Sequence, residues 1–361
     1  GKQIKRIILN LVNLFNPKLE YFVFESVPDF DGSSWMVSQE LRRKGYDKKY
    51  KFVWMTTTGN IERKKNFLCI PYDGKSIKER VYKYYVISKA ALIVDSNHYV
   101  YKKNAKTIRI FAGHGGLLKR CDSYLRNMGS VDYILNLSGA LADIYYEIVR
   151  TWNLISSKDK MINTGLPSND RLFEPCDLYA EGFWTKLLDR SIEKKFDKII
   201  GWLPTFRQHR SGDASVCVGS VFPFGVPLLK TQADLLCLNE LLKKKNVLLV
   251  IQMHHAQMQC FPRIALSNIA LISQKLKDSL NISTANLMHN FDALITDYSA
   301  AYHEFLLLDR PIALSVDDYE EYKLKIGFYY DYRDFIRGVY LNDVQSLLRF
   351  IDEITDGVDS A

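Results

Sequence analysis

The chain has 361 residues, of which 47% are hydrophobic and 25% charged, and its formal net charge is +8. This composition excludes a disordered or fibrous chain, and the length suits two domains of ordinary size rather than one core. The positive charge is compatible with an anionic partner (nucleic acid, a membrane surface or a phosphate-rich polymer) but does not choose among them. Six scattered cysteines (Cys69, Cys121, Cys176, Cys217, Cys237, Cys260) form no CxxC pair. They fit reduced thiols of a cytosolic protein rather than a disulfide framework or zinc site. The Asn136 and Asn281 sequons then carry no meaning. No apolar run approaches the roughly 18 residues needed to span a bilayer.

In the N-terminal segment Ile4, Ile7, Ile8, Leu11, Val12 and Phe15 recur at helical spacing beside Lys2, Lys5 and Arg6, and no small-residue cleavage site follows. The segment reads as an amphipathic helix, either packed on the protein's own core or lying on an anionic membrane. From Tyr21 strands and helices alternate: strand YFVFES, helix 33–44, strand KFVWMTT, helix 76–90, strands ALIVDS, TIRIFAGH and VDYILNLS, then a helix through 145–149 and MINTGLPSND, a strand running into a turn. After Pro175 the chain turns helical and charged over 178–195. A second series follows with KIIGWLPTF, helix 233–245, VLLVIQMH, NIALIS and the stretch FDALITDYSAAYHEFLLLDRP. Such βαβ repetition predicts parallel sheets with helices on both faces. The expected fold class is α/β, two doubly wound Rossmann-like domains of 1–175 and 176–361 with a cleft between them, like the GT-B glycosyltransferases. The Gly-, Ser- and Pro-rich run 211–227 reads as a mobile loop over that cleft.

Several strand ends carry chemistry. Phe291–Pro311 reads as a buried strand, a polar turn (Thr296, Asp297, Tyr298, Ser299) and a helix for which Ser299 is a good N-cap. A helix start at a strand's carboxyl end favours a phosphate, and the Thr296 and Ser299 hydroxyls suit its oxygens; the plain alternative is a capped βα turn. Strand TIRIF ends in Gly113-His114-Gly115, whose glycines let the backbone approach a ligand and leave the imidazole exposed. Lys102, Lys103, Lys106, Arg109, Lys119 and Arg120 form a basic collar there, which would keep His114 neutral and able to act as a base. The alternative is a turn histidine among solvated lysines. VLLVIQM ends in His254-His255, of which one should face the cleft because neighbouring strand residues point oppositely. LPTFR supplies Thr205 and Arg207, the latter able to fork onto a diphosphate. Asp317-Asp318 and Glu320-Glu321 read as a solvated acidic turn and helix start. No carboxylate cluster has obvious metal-ligand spacing, so neither metal nor cofactor is expected.

In order, GHGGLLK (113–119), TGLPSND (164–170), LPTFR (203–207), MHH (253–255), LITDYSAAYHEFLLLDRPI (294–312) and YKLKIGFYYDY (322–332) resemble the CDP-glycerol glycerophosphotransferase family of teichoic-acid primases and polymerases. Its pattern reads roughly WHGTPLK, TGYPRND, APTWR, KLHP, LITDYSSVMFDFALLDKPI and RGFYFDY. The resemblance implies a transferase that moves a polyol phosphate, glycerol phosphate above all, from a CDP-linked donor to a hydroxyl of a membrane-anchored acceptor such as a teichoic-acid-like glycan. CMP would leave, and the enzyme would sit peripherally on the inner face of a bacterial membrane. The first domain would serve the acceptor and the second the CDP donor. The resemblance implies catalytic roles for His114 and His254, with Gly115, Lys119, Thr205, Arg207, Thr296, Asp297, Ser299 and Glu304 binding substrate. Departures from the pattern are Gly113 and Phe206 for tryptophans, Gly116 for Thr, His255 for Pro and Ala300 for the second Ser. The polyol and the acceptor are therefore open. The rival readings are a GT-B glycosyltransferase using a nucleotide-sugar and a non-catalytic basic module binding an anionic polymer; nucleic acid is not the expected partner.

Overall fold

A computed structural model describes residues 18–57, 67–113, 115–116, 118–174, 177–180, 182–188, 195–205, 222–253, 258–280 and 282–356. The chain divides into two compact units: Gly1–Gly115 with Cys121–Asp170, and Gly116–Arg120 with Arg171–Ala361. The sequence reading kept residues 116–120 in the first domain. They belong to the second, because Leu118 (1% exposed) enters its core and Lys119 forms an antiparallel bridge to Phe328.

The first unit holds a seven-stranded sheet: β1 (Tyr21–Glu25), β2 (Lys51–Thr56), β3 (Leu68–Pro71), β4 (Ala90–Asp95), β5 (Ile108–Phe111), β6 (Tyr133–Leu135) and β7 (Met161–Ile162). Their spatial order is β3-β2-β1-β4-β5-β6-β7. The second unit holds β8 (Lys198–Trp202), β9 (Val247–Gln252), β10 (Ile269–Ile272), β11 (Ala293–Thr296), β12 (Ile312–Ser315) and β13 (Val339–Leu341), ordered β10-β9-β8-β11-β12-β13. Every pairing is parallel. In each sheet the first strand lies beside the fourth, so strand order reverses between β1 and β4 and between β8 and β11. Ligands of such sheets bind outside the carboxyl ends at that reversal.

Alternation of side chains explains why the sheets are covered on both faces. In the second, Ile199, Leu248, Val250 and Leu294 pack with Phe183, Met288 and Phe305, whereas Ile200, Leu249, Ile251 and Ile295 pack with Leu238 and Phe350. In the first, Tyr21, Val23 and Val53 face Val86 and Ile87, while Phe22, Phe24 and Trp54 face Trp35 and Leu41. Gly201 in β8 is needed for closeness: a Cβ there would stand 2.2 Å from the Phe291 ring. The sequence reading passed over β3, β12 and β13, each only three or four residues long. Runs that short carry little periodicity.

Candidate functional site

The turn after β11 lies at the reversal of the second sheet. Asp297 is fully buried and accepts the Thr205 backbone N–H on both carboxylate oxygens at 2.9 Å, and the Thr205 hydroxyl at 2.6 Å. One carboxylate thus ties the loop leaving β8 to the loop leaving β11. Thr296, also fully buried, donates its hydroxyl to the Leu203 carbonyl at 2.9 Å. The expectation that this hydroxyl points at a phosphate is corrected: strand alternation turns it into the sheet. Tyr298 is fully buried, stacked on Tyr322 with centroids 4.0 Å apart, and donates to Asp318 at 3.0 Å. Asp318 is therefore no solvated residue. Burial also pushes the neighbouring Asp317 carboxyl upward, and Asp317 accepts from Leu228 N–H. Glu320 and Glu321 do occupy the first turn of helix Tyr319–Lys325.

Helix Ala301–Phe305 begins one residue later than expected, with Ala300 as its N-cap, and Ser299 Oγ accepts the Ala301 N–H at 3.3 Å. Ser299 and Glu304 are half-buried, whereas Thr205, Thr296 and Asp297 are buried. The turn thus divides into an internal clamp and a partly open rim. The segment after Gly115 belongs to the same unit: Arg120 N–H donates to Gly327 O at 3.1 Å and Tyr329 N–H to Leu118 O at 3.3 Å. These bonds join Leu118–Arg120 to Gly327–Tyr329 within the second unit and place Lys119 opposite Phe328. Gly113 (φ +72°) and Gly115 (φ +140°) adopt conformations that only glycine takes readily on either side of His114.

The basic collar is smaller than the sequence reading implied. Arg109, 1% exposed, forks onto Asp95 at 2.7 and 3.0 Å and donates to Met128 O at 3.0 Å. It lies inside the sheet because β5 alternation turns it inward, where burial pushes Asp95 up to about 6 against the pull of Arg109. Lys102 is paired with Asp132 at 2.8 Å. Gly115 is half-buried beside this region. His114, Arg207, His254 and most of the 211–227 loop lie outside the described residues, as does the N-terminal amphipathic segment.

Two polar groups at the site escaped the sequence reading. His303, one helical turn beyond Ser299, is buried; its Nε2 meets Tyr330 OH at 3.3 Å and its Nδ1 has no hydrogen-bond partner among the described residues. Burial lowers its pKa to about 4, so the ring is neutral at pH 7. Lys277, 2% exposed, donates to Gln252 Oε1 at 3.2 Å and Thr284 Oγ1 at 2.7 Å, at the carboxyl end of β9 two residues before His254. The letters A-Y-H-E-F and Q-K-L-K around them look like ordinary helix surface, and only packing buries them. Among the described residues no group of three or more His, Cys, Asp or Glu is placed to hold a metal ion.

Residues 6–360 match the family described as CDP-glycerol:poly(glycerophosphate) glycerophosphotransferase. The chain belongs to this family. This member is 31% identical over 163 residues to the teichoic acid ribitol-phosphate primase of Bacillus spizizenii, covering 44% of this chain and 36% of that one. It is 23% identical over 368 residues to the teichoic acid ribitol-phosphate polymerase TarL of Staphylococcus aureus, covering 97% and 59%. It therefore spans less than two thirds of these relatives' length. A solved variant of the wall teichoic acid polymerase TagF superposes with a TM-score of 0.72 at 17% identity, covering 98% of this chain and 85% of that one. The UDP-GlcNAc 2-epimerase of Methanocaldococcus jannaschii gives 0.51 at 10% identity, covering 93% and 92%. At those identities the likeness is one of fold: two Rossmann-like domains.

Proposed function

We propose that the chain transfers a polyol phosphate from a CDP-linked donor to a hydroxyl of a membrane-anchored, teichoic-acid-like acceptor. The observation that carries this reading is the turn at the reversal of the second sheet, in a chain of this family. There Asp297 and Thr205 lock two strand ends together and leave Ser299 and Glu304 on the rim. In the proposed step the acceptor oxygen attacks the polyol-bearing phosphorus, its proton passes to His114, and the bond from that phosphorus to CMP breaks. His254, Arg207, Lys119 and the Ser299 turn stabilise charge growing on the leaving phosphate, and Gly115 lets the backbone come close. A positioned base is worth about 10²–10⁴ in rate, and preorganised charge at least as much. Thr205, Thr296 and Asp297 act here by holding the turn. The first unit receives the acceptor and the second the CDP donor.

The same reading places the enzyme on the inner membrane face. Among the described residues no helix is long and apolar enough to cross a membrane. Helix Ile77–Ser88 instead exposes Ile77 (80%), Val81 (64%), Tyr82 and Tyr85, with Lys75, Lys78 and Arg80 exposed around them. An apolar stripe edged by cations supports contact with an anionic lipid surface.

Thermal shift against CMP, CDP, CDP-glycerol, CDP-ribitol, UDP, UDP-GlcNAc and GDP-mannose tests the donor. A ligand at 100 times its Kd stabilises by about 2.7 kcal/mol. Cytidine nucleotides alone should raise Tm, and less so in Ser299→Ala or Arg207→Ala. Stabilisation by UDP or GDP compounds instead would overturn the assignment.

A further inference from the structure

The reversal of the first sheet carries a built side-chain arrangement of its own. Glu25 ends β1 opposite Asp95 of β4 and is fully buried. Its Oε2 accepts three successive backbone N–H groups across the reversal, from Ser96 (3.3 Å), Asn97 (3.0 Å) and His98 (2.9 Å). Its Oε1 meets His98 Nδ1 at 2.9 Å. Val27 N–H to Asn97 Oδ1 at 2.9 Å adds a second tie. A carboxylate so saturated with donors fixes the imidazole's position and orientation, as a second carboxylate, Asp297, fixes the reversal of the other sheet. With Nδ1 engaged, the Nε2 edge of His98 is the outward one, and its side chain is 44% exposed.

We propose that this reversal is a second binding subsite, in which His98, oriented by Glu25, hydrogen-bonds through Nε2 a hydroxyl of a neutral, hydroxyl-rich sugar or polyol. The inference rests on the reading above that the acceptor nucleophile is a hydroxyl, and it gives the first unit a residue for that acceptor. The chemical class follows from the surrounding charge. The groups acting on His98 are Glu25, Asp73 and Asp29, all carboxylates, and they hold its pKa above the usual value against the opposing effect of burial. Asp29 is half-buried and Asp73 exposed. The neighbouring Lys83 is spent on Tyr72, donating to its carbonyl and lying 5.3 Å from its ring centroid. Arg109 is paired inside the fold with Asp95. A phosphate would be repelled by these carboxylates, whereas a neutral hydroxyl can donate to the Nε2 lone pair that is left when Nδ1–H donates to Glu25. The Tyr72 ring, 4.8 Å from the His98 ring and tilted by 37°, further limits the ring's movement.

The test is nitrogen-15 NMR of the histidine rings in the full chain, with the His98 signal identified by its loss in His98→Gln. N-acetylglucosamine or glycerol should move the Nε2 resonance, the former pointing to a sugar and the latter to a polyol. Movement with inorganic phosphate alone, or with none of the three, would overturn the proposal. In Glu25→Gln the His98 titration midpoint should fall. In steady-state assays with CDP-glycerol, His98→Gln should raise the acceptor KM about tenfold, the scale of one lost hydrogen bond. The donor KM should stay within twofold, and an unchanged acceptor KM would refute the role. Should the chain use no CDP-linked donor at all, the transferase reading fails, while the NMR result still decides the subsite.

Discussion

Replacing Asp297 by Ala removes the group that joins β8 to β11, and the structure sets the size of the effect. Thr205 is only 7% exposed, and both its N–H and its hydroxyl donate to that carboxylate. Each donor left buried without a partner costs about 1–3 kcal/mol. Asp297→Ala should therefore destabilise the second unit by about 3 kcal/mol, lowering its Tm by about 6–12 °C for a domain of this size. Thr205→Val keeps the N–H bond and loses only the hydroxyl, so about 1.5 kcal/mol is expected. The two substitutions strike one network and should couple by at least about 1 kcal/mol in a double-mutant cycle. Differential scanning calorimetry of the full chain should show the lower Tm, and CMP affinity should fall with it because the Ser299 rim hangs from the same turn. An Asp297→Ala protein within 0.5 kcal/mol of wild type, or effects that simply add, would show that the clamp does not hold the site.

Below pH 7, His303 sets a stability slope. Its folded pKa is lowered to about 4 against 6.5 in the unfolded chain, so the unfolded state binds more protons between those values. Its contribution is full above about pH 6.5 and is lost as pH falls towards 4; at 1.36 kcal/mol per pH unit the total is about 3 kcal/mol. Urea unfolding of His303→Phe beside wild type should show the difference between their profiles confined to that window. Arg109→Ala leaves Asp95 buried without its ion partner and should destabilise the first unit by about 3–5 kcal/mol, read as a lower urea midpoint. Gly201→Ala drives a Cβ to 2.2 Å from Phe291 and should cost at least about 1–3 kcal/mol in urea unfolding. Ile77→Glu with Val81→Glu should abolish flotation with phosphatidylglycerol vesicles while leaving Tm nearly unchanged, since both side chains are exposed.

What the sequence by itself determined is the local and the repetitive. Alternating apolar strands and amphipathic helices are written in residue order, so two α/β domains were legible from β1 and β2, from β8 and β9, and from the run into β11. The motif series pointed to the family in the same way, because each motif is a short run of consecutive letters and the runs keep their order along the chain. Only tertiary structure decided which of those letters face inward. Arg109 read as a collar residue and is an internal partner of Asp95, and Thr296 read as a phosphate hydroxyl and is a strand hydroxyl bonded to Leu203. The clamp of Asp297 on Thr205 joins residues 92 apart, and Glu25 reaches His98 across 73. The transfer of residues 116–120 to the second unit likewise depends on Phe328, more than two hundred residues downstream. Periodicity reports the neighbours a residue has along the chain. Burial, pairing and the direction of a side chain depend on strands brought together from far apart, and the parallel order of each sheet sets them.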